Sequence, residues 1–314
     1  ENLYSNIFTE LKKNDENLIL AVNTLIKNCQ KSLTLKVDDS NKTSCIDKMQ
    51  KKVSTKKEAI NFLIDNFKVF SDIKKNTGLM TGYYEPEVFA FSEKKKSRYP
   101  IYRNPKAFGM ISKANLSRKE INKGALDNKG LEIAWLEDEI EAFFLQIQGS
   151  GRLRFSKDKI IKIRYSGSNG KKYTSIGKIL IKKGIFKKEE VTMLSIKNWL
   201  YKNPLKARKI MENNERYIFF ETYKGNIKGS SLINLVPNVS VAVDEKYIHS
   251  GTPLIIEDIE NKRNIFLALA HDKGNAIKGA QRIDLFTGYG KEAELLASGL
   301  KRKIRVWPLF PKTF

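Results

Sequence analysis

The sequence predicts a mainly β protein with a helical N-terminal segment. Three observations carry this. Over the first 70 residues the apolar positions recur at helical spacing. Beyond Gly78 the chain breaks into short apolar runs separated by Gly, Pro, Asn, Asp and Ser, the texture of many short strands joined by turns, as in barrels and sandwiches. Towards the C-terminus comes HDKGNAIKGAQRIDLFTGYG (271–290), too rich in glycine for a helix and too short of alternation for one long strand.

Taken in order, Leu18, Val22, Leu25 and Ile26 define a helical face within residues 8–30, and Ile60, Leu63, Phe67 and Phe70 repeat it over 57–70. The polar, turn-rich KVDDSNKTSC lies between them. After Gly78, VFAF, LEIAWL, AFFLQIQ, IIKIRY, RYIFFE, VSVAV, PLIIE and NIFLALA read as strands. Three helices interrupt them. The first starts at Ser175 as N-cap and ends at Gly184 as C-cap. The second covers about 187–202 with Leu194, Trp199 and Leu200; the third covers about 290–302 with Leu295, Leu296 and Leu300. No internal repeat or low-complexity tract is present.

At 314 residues the chain is comfortable for two domains, and with 41% hydrophobic and 10% aromatic residues it can bury a sizeable core. No apolar run approaches the ~20 residues of a membrane span. The start at Glu1, without Met, leaves the compartment open. The net charge of +23 favours an anionic partner: nucleic acid, anionic lipid or an acidic wall polymer. Its lysines are spread along the chain, as in KKNDENL, EKKKSRY and IKKGIFKKEE, which fits solvated faces better than one binding stripe.

Several chemistries are excluded. The only histidines are His249 and His271, there is no HExxH and no Cys/His cluster, and a transition-metal site is not expected. GSG at 149–151 does not spell a nucleophile elbow, and neither a phosphate-binding loop nor an RNA-binding or zinc-finger pattern is present. Carboxylates in an aromatic, glycine-lined setting remain. Asp272 and Asp284 lie 284 − 272 = 12 residues apart, with Lys278 between them. Asp is also a common turn residue. Asp284, however, sits between Ile283 and Leu285-Phe286, where desolvation should raise its pKa. In TGYYEPEV, Tyr83, Tyr84 and Glu85 precede Pro86; the rings suit stacking on sugars or bases, or equally a barrel core or rim. Gln146 and Gln148 in FFLQIQGSG alternate on one face of the strand predicted there, and their amides suit hydroxyl and acetamido groups or buried backbone. Cys29 and Cys45 are the only cysteines, paired or free according to compartment.

GLMTGYYEPEV (78–88), FFLQIQGSGRL (143–153), YTSIGKILI (173–181), VSVAVDEKYIHSGTPLII (239–256), HDKGNAIKGAQRIDLFTGYG (271–290) and VWPLFPK (306–312) resemble, in the same order, the membrane-bound lytic murein transglycosylase A family. The last three blocks also resemble the 3D domain, named for three aspartates, which match Asp244, Asp272 and Asp284. The resemblance implies a double-psi β-barrel main domain formed by 1–101, with its helical lead-in at 1–70, and 222–314. It implies a smaller β-rich domain inserted at 102–221 and a substrate groove between the two. The family's single catalytic acid falls on Asp284, with Asp272, Asp244 and Lys278 in support. Substrate contacts are expected at Tyr83, Tyr84, Glu85, Gln146, Gln148, Gly149, Ser150, Gly279, Phe286, Gly288 and Tyr289. Two departures stand out: His271 where the family commonly has Gln, and Gly274-Asn275 where it has Gly-Gly.

The implied activity is cleavage of the bond between N-acetylmuramic acid and N-acetylglucosamine in peptidoglycan, leaving 1,6-anhydro ends, with no cofactor and no metal. The implied setting is the periplasm, as a monomer on the outer membrane through a lipid anchor no longer present, with glycan strands and not nucleic acid as partner. An oxidising compartment would favour a Cys29–Cys45 disulfide. The alternatives are a peptidoglycan hydrolase whose two carboxylates activate water, a non-catalytic wall-binding barrel and, weakest, a cationic nucleic-acid binder.

Overall fold

The computed structural model describes residues 2–32, 51–69, 77–110, 115–261, 264–274 and 276–312. In chain order the strands are β1 (Phe67–Val69), β2 (Gly78–Glu85), β3 (Glu87–Phe89), β4 (Tyr99–Tyr102), β5 (Glu132–Leu136), β6 (Ser150–Arg154), β7 (Ile160–Ser168), β8 (Ile218–Tyr223), β9 (Ser240–Val243), β10 (Pro253–Asp258), β11 (Ile265–Lys273), β12 (Arg282–Tyr289) and β13 (Lys301–Pro311). They fall into two compact units. The first comprises Glu1–Gly82, Asn226–Thr287 and Leu300–Phe314; the second comprises Tyr83–Gly225 and Gly288–Gly299.

In the first unit the strands run β1-β13-β10-β11-β9-β12-β2, and β2 pairs again with β13. Six strands, β2, β13, β10, β11, β9 and β12, therefore close into a barrel, which leaves them no free edge. Met80, Val241, Leu254, Ile256, Ala268, Ala270, Ile283, Leu285, Ile304 and Val306 form its core. Alternation sends the intervening residues to the outer face. There Ile255, Ile265, Leu267, Leu269 and Trp307 meet Leu11, Leu18, Val22, Leu25 and Leu63 from three N-terminal helices, Asn2–Asn14, Leu18–Ser32 and Lys56–Asn66. Asp15, buried in the bend between the first two, accepts hydrogen bonds from the backbone N–H of Leu267 at 2.9 Å and of Asn17 at 2.8 Å. Burial pushes its pKa up.

The Lys56–Asn66 helix starts on a Thr55–Glu58 capping box. It stops short of the predicted Phe70, because Phe67 turns extended and pairs with Pro311 on β13. Phe70 lies outside the described residues, as does Cys45. Cys29 falls in the Leu18–Ser32 helix, but its side chain is not described, so the disulfide expectation lies outside the described residues.

The second unit holds a four-stranded sheet, β3-β6-β7-β8, and a β4–β5 pair. Val88, Ala134, Leu153, Ile163 and Phe220 lie in one core; Phe143, Phe144, Leu180, Leu200 and Ile210 lie in a second, helical one. The pairings of β3 with β6 and of β4 with β5 place the chain from Tyr83 to Gly225 in this unit, with Gly288–Gly299 added to it.

AFFLQIQ is not a strand. It belongs to a helix, Glu139–Gln148, capped by Asp138, whose carboxylate accepts from Ile140 and Glu141 N–H, and closed by Gly149. An apolar run of this length fits a buried helix as well as a strand, and here the cap residues decide. Ser175 caps Ile176–Lys182 as expected. The next helix is shorter than its pattern, Met193–Lys202, because Thr192 caps it, and Pro204 starts a further helix, Pro204–Glu212. The last, Gly290–Gly299, gives way to β13 at Lys301.

Candidate active site

On β12, Ile283 and Leu285 enter the barrel core, so Arg282 and Asp284 share the opposite face. The antiparallel register sets Asp284 opposite Ala242 of β9. On the other side of β9 the parallel register sets Asp272 of β11 opposite the same Ala242. The two aspartates thus flank one alanine in a single row of the sheet.

A bulge makes this possible. Ala270 pairs with Val241 and Asp272 with Ala242, leaving His271 as the extra residue. Without it Asp272 would follow Ala270 into the barrel core. His271 is buried, with Nδ1 2.8 Å from Ser240 Oγ and Nε2 3.0 Å from Asn28 Nδ2. Burial lowers its pKa to about 4, so at neutral pH it bridges the Leu18–Ser32 helix to the barrel as an uncharged group. A neutral imidazole with one donor and one acceptor can do what an amide side chain does.

Asp284 Oδ1 accepts a hydrogen bond from Thr81 Oγ1 at 2.5 Å. Thr81 Oγ1 in turn accepts one from Arg282 Nη2 at 2.7 Å. Arg282 Nη1 also donates to the carbonyls of Leu79, at 3.3 Å, and of Ile283. Burial dominates and raises the Asp284 pKa to about 6; the Thr81 bond and the Arg282 charge pull it down, and the Asp272 charge pushes it up. This carboxyl can give a proton near neutral pH and take one back.

β2 reaches β12 through a close approach. Leu79 N–H donates to the Gln281 carbonyl at 3.0 Å, and a Cβ at Gly78 would collide with that carbonyl. Gln281 also exchanges two hydrogen bonds with Val306 of β13, at 3.0 and 2.8 Å. The backbone that carries Thr81 is thereby held against the strand that carries Asp284.

The other two aspartates act through backbone. Asp272 Oδ1 accepts from Ser230 N–H at 2.9 Å and from its neighbour Lys273 N–H at 2.9 Å. Asp244, buried at the end of β9, accepts from Gly279 N–H at 2.9 Å and from Lys246 N–H at 3.3 Å. The Gly279 bond is the main reason its pKa is lowered, with Lys278 and Lys246 adding positive charge. Gly279 has φ of 102°, a conformation that a side chain would strain. Lys278 is exposed, and so is His249. Phe286 is buried, and its carbonyl accepts from Asn238 N–H at 2.8 Å.

In the second unit several expected contact residues are engaged by neighbouring groups of the protein. Glu85 is 1% exposed; its carboxylate accepts from Arg152 Nε at 2.9 Å and from Tyr223 Oη at 2.8 Å. Tyr84 is buried against Ala293 and Ala297. Gln146 and Gln148 do not alternate on a strand. On the helix Gln146 is buried and accepts from Ile218 N–H at 3.4 Å. Gln148, half-buried, accepts from Tyr84 N–H at 3.2 Å and donates to Met193 Sδ at 3.2 Å. Ser150 and Gly288 are buried, Gly149 and Tyr83 half-buried. Tyr289 is exposed, with the Arg152 guanidinium 3.6 Å from its ring centroid.

Two partners of Asp284 were not singled out in the sequence. Arg282 could have been: R-x-D on a strand puts both side chains on one face. Thr81, 203 residues away, carries no local signal.

Family models describe both halves of this arrangement. Residues 79–221 match the MltA specific insert domain and residues 239–310 the 3D domain. The chain is 34% identical over 248 residues to membrane-bound lytic murein transglycosylase A of Vibrio cholerae, a match covering 75% of this chain and 66% of the relative. It is 36% identical over 241 residues to the protein of that name from Escherichia coli K12, covering 73% and 64%. The matches thus span slightly less than two thirds of these relatives. The structure is similar to that of a membrane-bound lytic murein transglycosylase from Agrobacterium tumefaciens, with a TM-score of 0.80 and 26% identity over 96% of this chain and 94% of the other. It is also similar to E. coli MltA with bound chitohexaose, with a TM-score of 0.72 and 27% identity over 99% and 90%. The chain belongs to the membrane-bound lytic murein transglycosylase A family.

Proposed function

We propose that this protein is a lytic transglycosylase that cleaves the β-1,4 bond between N-acetylmuramic acid and N-acetylglucosamine in peptidoglycan, with Asp284 as its acid and then its base. The observation that carries the reading is Asp284 itself, a partly buried carboxyl with a pKa of about 6 on the strand of the 3D-domain match. At pH 7 about a tenth of such a group is protonated, enough to serve as an acid, while the remainder is competent as a base.

The protonated carboxyl gives its proton to the glycosidic oxygen as the bond to the anomeric carbon breaks. The acetamido carbonyl oxygen of the same sugar stabilises that carbon from the opposite face. Asp284, now ionised, removes the proton of the C6 hydroxyl, and that oxygen bonds to the anomeric carbon. A tethered hydroxyl competes well with water because of its high effective concentration. No water is consumed, so the products together have the mass of the substrate.

Asp272 contributes negative charge that helps Asp284 hold its proton, and Asp244 secures the loop at Gly279. A chitohexaose complex of E. coli MltA supports an amino-sugar polymer as ligand class. Exposed Tyr289 and half-buried Tyr83 and Gln148 are the most accessible aromatic and amide side chains among the expected sugar contacts. Relatives named as membrane-bound support an envelope location, and we place the protein in the periplasm, attached to the outer membrane by a lipid anchor and acting as a monomer. Among the described residues no helix is long and apolar enough to cross a membrane.

Mass spectrometry of sacculi digested by the purified protein tests the activity. Anhydro-ended muropeptides are expected; products heavier by one water would establish a hydrolase, and no product a binding module. Asp272→Asn and Asp244→Asn are expected to retain measurable release, since each amide still offers an oxygen to the backbone N–H groups its carboxylate now serves. For Asp272→Asn the alkaline limb of the pH profile should move down, because a charge that raises the Asp284 pKa is gone. An Asp272→Asn protein as inactive as Asp284→Asn, yet still binding sacculi, would favour a two-carboxylate mechanism.

A further inference from the structure

We infer that Thr81, oriented by Arg282, is a positioning residue that commits one oxygen of Asp284 to hydrogen-bond acceptance and reserves the other for the catalytic proton. This rests on the reading of Asp284 as the acid. The argument is one of donors and acceptors. A guanidinium only donates, and a threonine hydroxyl has one proton and two lone pairs. With Arg282 Nη2 at 2.7 Å, Thr81 Oγ1 must accept there. Its single proton then goes to Asp284 Oδ1, at 2.5 Å. That bond is available whether Asp284 is neutral or charged, so Oδ1 remains an acceptor in both states. The transferable proton belongs on Oδ2, which has no hydrogen-bond partner among the described residues.

The chain of groups is held at each link. Arg282 also donates to the Leu79 and Ile283 carbonyls, one on each of the two strands it bridges. The β-branched Thr81 has few rotamers to choose from. The charged groups acting on Asp284 are Arg282 on its own strand and Asp272 across β9, with Thr81 the neutral donor from β2. A single group that must first give and then take a proton gains from a fixed proton-bearing oxygen: the lone pair freed in the first step already faces the substrate in the second. The same hydrogen bond stabilises the carboxylate against burial and so keeps the group from holding its proton too tightly.

The test compares wild type, Thr81→Val, Thr81→Ala, Thr81→Ser and Asp284→Asn on purified glycan strands between pH 4 and 9, with circular dichroism to confirm folding. Thr81→Val is expected to lower kcat roughly tenfold to a hundredfold with little change in KM. Its alkaline limb should move to higher pH, because a donor that lowers the Asp284 pKa has gone. Thr81→Ser should keep the wild-type limb and most of kcat. Thr81→Ala is read in the same way if Thr81→Val does not fold, and if neither folds the residue is structural and the inference falls. It also falls if Thr81→Val keeps the wild-type kcat and pH profile, or if Thr81→Ser is as impaired as Thr81→Val. An inactive Asp284→Asn beside an unaltered Thr81→Val overturns this inference alone, whereas an active Asp284→Asn overturns the assignment of the acid.

Discussion

Asp284→Asn is expected to lose release of anhydro-ended muropeptides by roughly a thousandfold or more while becoming more stable at alkaline pH. The loss lies at the upper end of what one general acid or base contributes, because in the proposed mechanism the same group serves both proton transfers. The gain in stability follows from its environment. The folded-state pKa of about 6 lies above the ordinary 3.8 of an aspartate, mainly through burial. The folded form therefore favours the neutral group. That advantage is complete below pH 3.8 and is lost as pH rises through 6. Above pH 6 the wild type keeps a desolvated carboxylate at a cost on the order of 1–3 kcal/mol, lessened by its partial exposure. An asparagine has no such charge, and its oxygen still accepts from Thr81. Melting curves at pH 8 should place the variant above the wild type, and the gap should close at pH 4. An equal gap at both pH values would refute the raised pKa; an active, folded variant with deamidation excluded by mass would refute the mechanism.

Arg152→Ala is expected to destabilise the second unit by about 3–5 kcal/mol. Glu85 is 1% exposed, and Arg152 is the cation that compensates it, at 2.9 Å. Removing the cation leaves Tyr223 Oη as the partner still facing the carboxylate. The stacking of the guanidinium on Tyr289 goes as well. The effect should be asymmetric. A double variant, Glu85→Leu with Arg152→Leu, removes both charges and should recover much of the lost stability, since a buried ion pair contributes little relative to apolar residues of similar size. Urea denaturation midpoints of the two variants decide the matter. A loss below about 1 kcal/mol for Arg152→Ala would mean that Glu85 finds water or another donor.

Much of the fold could be read locally. The apolar positions Leu18, Val22, Leu25 and Leu63 recur at helical spacing and do bury one face of their helices. VSVAV, PLIIE and NIFLALA become β9, β10 and β11 of the barrel. Asp284 was conspicuous as a carboxylate between Ile283 and Leu285, and those neighbours do enter the core. AFFLQIQ by itself reads as a strand because a short apolar run is compatible with either period, and the decisive signals, Asp138 and Gly149, lie outside it. For Tyr84 the sequence leaves a barrel core open beside a sugar contact, and for Glu85 it gives no sign of burial, because composition does not distinguish a buried polar group from an exposed one. Arg152, which makes burial of Glu85 tolerable, is 67 residues away.

From residue order alone follow the periodicities, the caps and the presence of a carboxyl among apolar neighbours, since each depends on groups a few bonds or one turn apart. The environment of that carboxyl depends on strand registers. Asp272 reaches the row of Asp284 because a bulge at His271 shifts the parity of β11, and Thr81 reaches it because β2 lies against β12. Threonine, arginine and aspartate become one hydrogen-bonded chain when hydrogen bonds between distant strands fix which side chains share a face, and no short stretch of sequence specifies that register.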